Sequence, residues 1–195
     1  KLSKQERTPP QRVWRVVPAV KRPQAPAWVI GSLVHEALAA WRFPNGVAPV
    51  GTGPSFEHWT EARAREYGIT DARQLADALR RTRQILLRFR SHSLYDEMDG
   101  ADRRLHEVPY SLSVDGRVES GIIDALYQRE GSWTIVEFKT DRVRDRDELE
   151  RLLVTEDYLA QAGRYVAAVE RLLAQTPHLV LCLLNFAGCV RLYRP

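Results

Sequence analysis

The sequence predicts a mixed α/β domain in which a small sheet is flanked by helices, and three observations predict it. Apolar residues recur at helical spacing between Ser32 and Arg90. From Leu105 the period drops to two, with turn residues between the runs. One more amphipathic helix and a compact apolar strand close the chain. Helix, meander, helix, strand is the order of a layered α/β core.

Taken in order, residues 1–27 carry Pro9-Pro10, Pro18, Pro23 and Pro26 among Lys, Arg and Gln, and read as an extended arm or linker. Residues 28–195 read as the folded domain. The first helix begins near Ser32, with Val34, Leu38 and Trp41 on one face, and Pro44-Asn45-Gly46 ends it. Residues 44–54 form a loop rich in glycine and proline. Phe56 to Tyr67 and Asp71 to Arg90 are two further helices. The second sets Leu75, Leu79, Leu86 and Phe89 on one side and arginines around the rest. Of these, Arg80, Arg81 and Arg83 are candidate contacts to phosphates; a solvated helix face is the alternative.

Val108 to Val114 reads as a strand, Asp115-Gly116 as a two-residue hairpin turn, and Arg117 to Tyr127 as the antiparallel return. Glu130-Gly131 turns the chain into a strand from Trp133 to Thr140. A charged stretch, Arg142 to Arg151, has no element assigned to it. Tyr158 to Ala174 reads as a helix, Leu179 to Phe186 as a strand, Gly188 as a turn and Cys189 to Tyr193 as a last short strand.

A length of 195 residues falls within the roughly 100–200 of one domain, and 44% hydrophobic residues are enough for a core. No run approaches the ~18 apolar residues of a membrane span, so a soluble chain with no membrane partner is expected. The opening Lys1-Leu2-Ser3-Lys4 has no methionine and leads into no apolar signal segment, and so reads as part of something longer. Cys182 and Cys189 make no disulfide framework; both fall in apolar surroundings and read as buried free thiols, which fits a reducing, cytoplasmic setting. The net charge of +4 and a pI near 9.3 permit a polyanionic partner without demanding one.

The chain builds its cations from arginine: 25 arginines stand against four lysines, three of them within the first 21 residues. The fourth, Lys139, lies in Val136-Glu137-Phe138-Lys139-Thr140, downstream of Gly121-Ile122-Ile123-Asp124. A compact, flexible ammonium is not interchangeable with a planar guanidinium where a point charge must sit beside a metal or a water. Strand alternation points Glu137 and Lys139 the same way and Val136 and Phe138 into the other layer. The preceding strand can bring Asp124 beside Glu137. Two carboxylates so close push each other toward protonation unless a cation lies between them. Mg²⁺ suits such an oxygen site, and the Phe138 backbone carbonyl is a candidate third ligand. The chemistry this suits is phosphodiester hydrolysis, with Lys139 holding the attacking water. The alternative is a surface hairpin with an ordinary Glu–Lys pair, against which stands an aspartate placed between Ile123 and Ala125.

Gly121-Ile122-Ile123-Asp124 followed by Ile135-Val136-Glu137-Phe138-Lys139-Thr140-Asp141 resembles the PD-(D/E)xK nuclease superfamily. More narrowly it is similar to the RecB-like nuclease domains at the C-termini of bacterial helicase–nucleases such as RecB and AddA. Gly31-Ser32-Leu33-Val34-His35 resembles that branch's glycine–histidine helix, and Gln161-Ala162-Gly163-Arg164-Tyr165 its glutamine–tyrosine helix. Glu107-Val108-Pro109-Tyr110 fits the strand that opens the family's meander. The resemblance spans roughly residues 28–186. It implies a restriction-endonuclease-like core, Mg²⁺ or Mn²⁺ held by His35, Asp124 and Glu137, and catalysis by Asp124, Glu137 and Lys139 with Gln161 and Tyr165 shaping the site. His35 also reads as a core histidine beside Val34 and Leu38, and Tyr165 as a packing partner of Val169. Glu107 is a candidate second-metal or sheet-capping residue, and Asp141 a support for Lys139 or a neighbouring arginine. A related branch holds an iron–sulfur cluster on four cysteines; two cysteines are too few, so no cluster is expected.

The resemblance further implies a DNA exonuclease module attached to helicase domains, acting in recombination and repair on DNA, single-stranded ends above all. Two alternatives stand beside it: a catalytically silent nuclease-like scaffold or DNA-binding module, and a stand-alone restriction-type endonuclease.

Overall fold

The computed structural model describes residues 23–45, 54–114, 116–155 and 158–195. The arm up to residue 22, the middle of the 44–54 loop and Asp115 lie outside the described residues. The elements run α1 (Ala27–Ala39), α2 (Phe56–Glu66), α3 (Ala72–Arg90), α4 (Ser93–Asp99), β1 (Arg103–Val114), β2 (Arg117–Arg129), β3 (Ser132–Lys139), α5 (Arg146–Thr155), α6 (Tyr158–Leu173), β4 (His178–Phe186) and β5 (Cys189–Tyr193). The five strands form one mixed sheet in sequence order, with β3 and β4 parallel and every other pair antiparallel.

Local chemistry sets the boundaries. Pro26 precedes the first turn of α1, which therefore begins at Ala27 and not near Ser32. Ser55 caps α2 by accepting from the His58 amide, and Asp71 caps α3 by accepting from Arg73 and Gln74. Two of the tight hairpins use paired positive φ values: Glu130 and Gly131 at +50° and +81°, Ala187 and Gly188 at +47° and +80°.

Two helices come from stretches without an assigned element. The charged stretch after β3 is helical over Arg146–Thr155, because Arg144–Glu148 and Arg146–Glu150 pair one turn apart while Leu149 and Leu153 are buried. Seven-residue α4 is capped by His92, whose Nδ1 accepts from the Leu94 amide at 3.1 Å. Cys182 is a buried free thiol as expected, but Cys189 is exposed, because it starts edge strand β5 directly after the hairpin turn.

Helices cover both faces of the sheet. On one, α1, α3 and α4 pack on Ala125, Tyr127, Val136 and Phe138, with Phe89 edge-on to Phe138 at 5.2 Å. On the other, Tyr165, Ala168 and Val169 of α6 pack on Ile123, Leu126 and Ile135. Ile123 and Ala125 would share a face in a regular strand, yet they serve opposite layers. In β1, His106 meets Trp41 of the first layer while Val108 joins the second. Both strands thus reverse their facing at Glu107 and Asp124. Glu107 has φ +49°, and no ladder pair joins it to Asp124, although register continues on either side.

Candidate active site

The reversal places Asp124 where it can serve both layers. The β2–β3 ladder ends at Ala125–Val136, and the next residues across are Asp124 and Glu137. Asp124 Oδ2 accepts from the Phe138 amide at 2.8 Å, and Oδ1 lies 3.3 Å from Nδ1 of His35, which α1 contributes from the first layer. Gly31, one turn earlier on α1, comes so close to the end of β3 that an added Cβ would lie 3.1 Å from Thr140 Oγ1.

Glu137 and Lys139 project toward α6. Lys139 Nζ donates to Glu137 Oε1 at 2.9 Å and to Gln161 Oε1 at 3.1 Å, and lies 4.0 Å from the centre of the Tyr158 ring. Gln161 Nε2 donates to the Tyr165 hydroxyl at 2.7 Å. Tyr165 meets Tyr110 edge-on at 5.6 Å, and Tyr110 lies over Gly121, where an added Cβ would stand 2.8 Å from its ring. Tyr158 also donates to Asp141 at 3.0 Å. The sequence reading missed Tyr158, although its place one helical turn before Gln161 was a usable signal.

The electrostatics are unbalanced. Glu137 is 5% exposed, and its Oε2 is buried without a hydrogen-bond partner among the described residues. Burial, and then the neighbouring Asp124 charge, push its carboxyl up to about 7 against the pull of Lys139. Burial pulls the His35 imidazole down, but its hydrogen bond to Asp124 and the charges of Asp124 and Glu137 outweigh that and raise it overall. Burial and the Asp124 charge raise Glu107 as well. Burial, with Glu137 and Asp124 behind it, raises the Tyr165 phenol, which stays protonated.

The sequence-predicted residues His35, Asp124, Glu137, Phe138, Lys139, Gln161 and Tyr165 therefore meet at one end of the sheet. Among the described residues, no three His, Cys, Asp or Glu side chains converge into a ready-made metal cage. The donor set still fits a divalent cation, because a buried carboxylate oxygen of Glu137 has no hydrogen-bond partner among the described residues and the Asp124 charge adds to the cost of ionising it. A cleft of ≈ 540 Å³ between α1 and α2, with His35, Glu107, Trp59 and Tyr67 in its walls, opens onto this end. Arg80 and Arg81 pair with Asp77 across the solvent face of α3, while Arg83 bonds Glu57 at 2.7 Å and Asn45 at 3.0 Å.

The chain belongs to the PD-(D/E)XK nuclease superfamily, whose family description it matches over residues 6–187. Among curated proteins it is 30% identical over 103 residues to an ATP-dependent helicase/nuclease subunit from Heliobacterium modesticaldum (strain ATCC 51547 / Ice1), a match covering 45% of this chain and 7% of that protein. Among solved structures, protein VC1899 from Vibrio cholerae matches at 12% identity and a TM-score of 0.34, over 82% of this chain and 41% of that one. No helix among the described residues is long and apolar enough to cross a membrane.

Proposed function

We propose that this domain is a divalent-metal-dependent deoxyribonuclease, in which Asp124, Glu137 and His35 hold Mg²⁺ or Mn²⁺ with the Phe138 carbonyl as a further oxygen ligand. The observation that carries the proposal is Glu137 Oε2, buried beside Asp124 and with no hydrogen-bond partner among the described residues. When bound, the cation supplies a water of lowered pKa and a polarised phosphoryl oxygen.

The chain's own residues do the positioning. Two of the three Lys139 N–H groups are taken by Glu137 and Gln161, which fix the ammonium and leave one donor for the attacking water or a phosphate oxygen. Tyr165 holds Gln161. His35 reaches the acids from the opposite layer, and Asp124 ties itself to the backbone of β3.

The partial likeness to a helicase/nuclease subunit supports a module attached to helicase domains and acting on DNA in recombination and repair. Exonucleolytic attack on single-stranded ends is the favoured mode. Incubation with end-labelled linear DNA and with circular DNA, with Mg²⁺, Mn²⁺ or EDTA, tests the whole reading. Degradation of the linear substrate is expected with either metal and not with EDTA. Lys139→Ala should reduce it by roughly a hundredfold or more. Full activity in that variant removes Lys139 from the mechanism. The absence of cleavage under every metal would replace the enzyme with a silent nuclease-like scaffold.

A further inference from the structure

Just beyond the end of β3 lies a second concavity, of ≈ 600 Å³, between α3 and the segment that follows Lys139. Five of its lining residues are arginines: Arg80, Arg81 and Arg88 from α3, and Arg142 and Arg144 from the turn after β3. One carboxylate, Asp77, faces them in the lining. Asp77 is already shared by the Ala25 amide, Arg80 and Arg81. Among the described residues the Arg88 side chain reaches the neutral amide of Asn185, at 3.3 Å, and Arg144 pairs with Glu148 at 3.4 Å. Guanidinium groups crowded into one concavity repel one another, and its walls focus their field. A flexible polyanion relieves that repulsion, and the planar fork of arginine suits phosphate oxygens in pairs.

The pocket is tied to the active end of the sheet. Val143, on its wall, bridges to Phe186 at the end of β4, and β4 runs parallel to β3. Arg142 is three residues past Lys139, so their Cα atoms are at most about 11 Å apart. A strand whose scissile phosphate sits at Lys139 therefore has later phosphates within reach of Arg142.

We propose that this arginine pocket is a phosphate subsite, binding the backbone of the DNA strand a few nucleotides from the bond that is cut. The assignment rests on the nuclease reading and adds the path by which the strand leaves the active end. It also separates the arginines of α3: Arg80, Arg81 and Arg88 line the pocket, whereas Arg83 does not.

The test is the fluorescence anisotropy of a labelled single-stranded oligonucleotide in EDTA, over a salt series, for the wild type, the double variant Arg80→Gln/Arg142→Gln, and Arg83→Gln. Both positions in the double variant are exposed, so the fold is not at stake. The double variant should bind at least about tenfold more weakly and flatten the slope of log K against log salt by about 1.4, since each single-strand phosphate contact contributes about 0.7. Arg83→Gln should leave both unchanged. Wild-type affinity and slope in the double variant would overturn the subsite, even if the protein cleaves DNA. Cleavage by the wild type with Mg²⁺ or Mn²⁺ is scored separately, so a protein that passes the binding test and cuts nothing loses the nuclease reading alone.

Discussion

Asp124 turns one carboxylate oxygen to the Phe138 amide and the other to His35, while Glu137 Oε2, on the next acid along, has no hydrogen-bond partner among the described residues. The centre is thus held together by backbone and histidine contacts on one side and incomplete on the other.

Metal binding should complete it. Mg²⁺ or Mn²⁺ is expected to raise the melting temperature relative to EDTA. The shift should grow as pH rises through about 7, because the cation needs Glu137 ionised and the protein alone holds its proton up to about that pH. Asp124→Ala should abolish both the shift and cleavage. Thermal melts at pH 6 and pH 8 give the answer; an equal shift at both would remove Glu137 from the ligand set.

Gln161 should act through Lys139. Gln161→Ala removes one of the two acceptors on Nζ and is expected to lower kcat by about ten- to a hundredfold, with the metal-induced melting shift retained. Tyr165→Phe, which removes only the hydroxyl behind Gln161, should have a smaller effect in the same direction. Single-turnover rates with saturating DNA would show it. A lost melting shift would mean that Gln161 serves the metal site instead.

Gly121 should matter through a ring. An alanine there would place its Cβ 2.8 Å from Tyr110, whose ring braces Tyr165. Gly121→Ala should cost about 1–3 kcal/mol of stability and lower kcat several-fold. Urea unfolding paired with cleavage rates tests this, and wild-type values in both would show that the ring moves aside freely.

His106 predicts the acid limit of stability. Burial, and then the neighbouring Arg104, lower its imidazole to about 4, and neither ring nitrogen has a hydrogen-bond partner among the described residues. The unfolded chain takes up this proton near pH 6.5 and the folded one only near 4. Stability from this group is therefore full above about 6.5 and is lost as pH falls through that window. Allowing for partial solvent screening, the loss is about 2 kcal/mol. His106→Phe keeps an aromatic ring against Trp41 and should remove that share of the acid sensitivity. Urea midpoints at pH 7 and pH 4 compare the two, and parallel losses would put the acid response elsewhere.

Much of the fold was legible because its elements obey local rules: the periodic helices with Ser55 and Asp71 at their starts, and the glycine turns of the meander. The candidate site residues stood out because Asp124, Glu137 and Lys139 are ionisable residues beside apolar ones in their strands. Helix α5 was hidden by its charges, which mask the burial of Leu149 and Leu153 until their spacing is counted. Seven-residue α4 is too short for periodicity to show. The reversal at Glu107 is invisible to a rule of alternation, since it depends on one backbone angle and on helices packed against both faces.

That reversal makes the β1–β2 ribbon intolerant of length changes. Removing one residue beside Glu107 would turn the Val108 and Tyr110 side of the ribbon away from α6, or the His106 side away from Trp41, and Asp124 would lose its view of both neighbours at once. Point substitutions along the ribbon, those at Gly121 and Asp124 apart, change one side chain at a time, whereas an insertion or deletion there would dismantle the centre even with every acid still present.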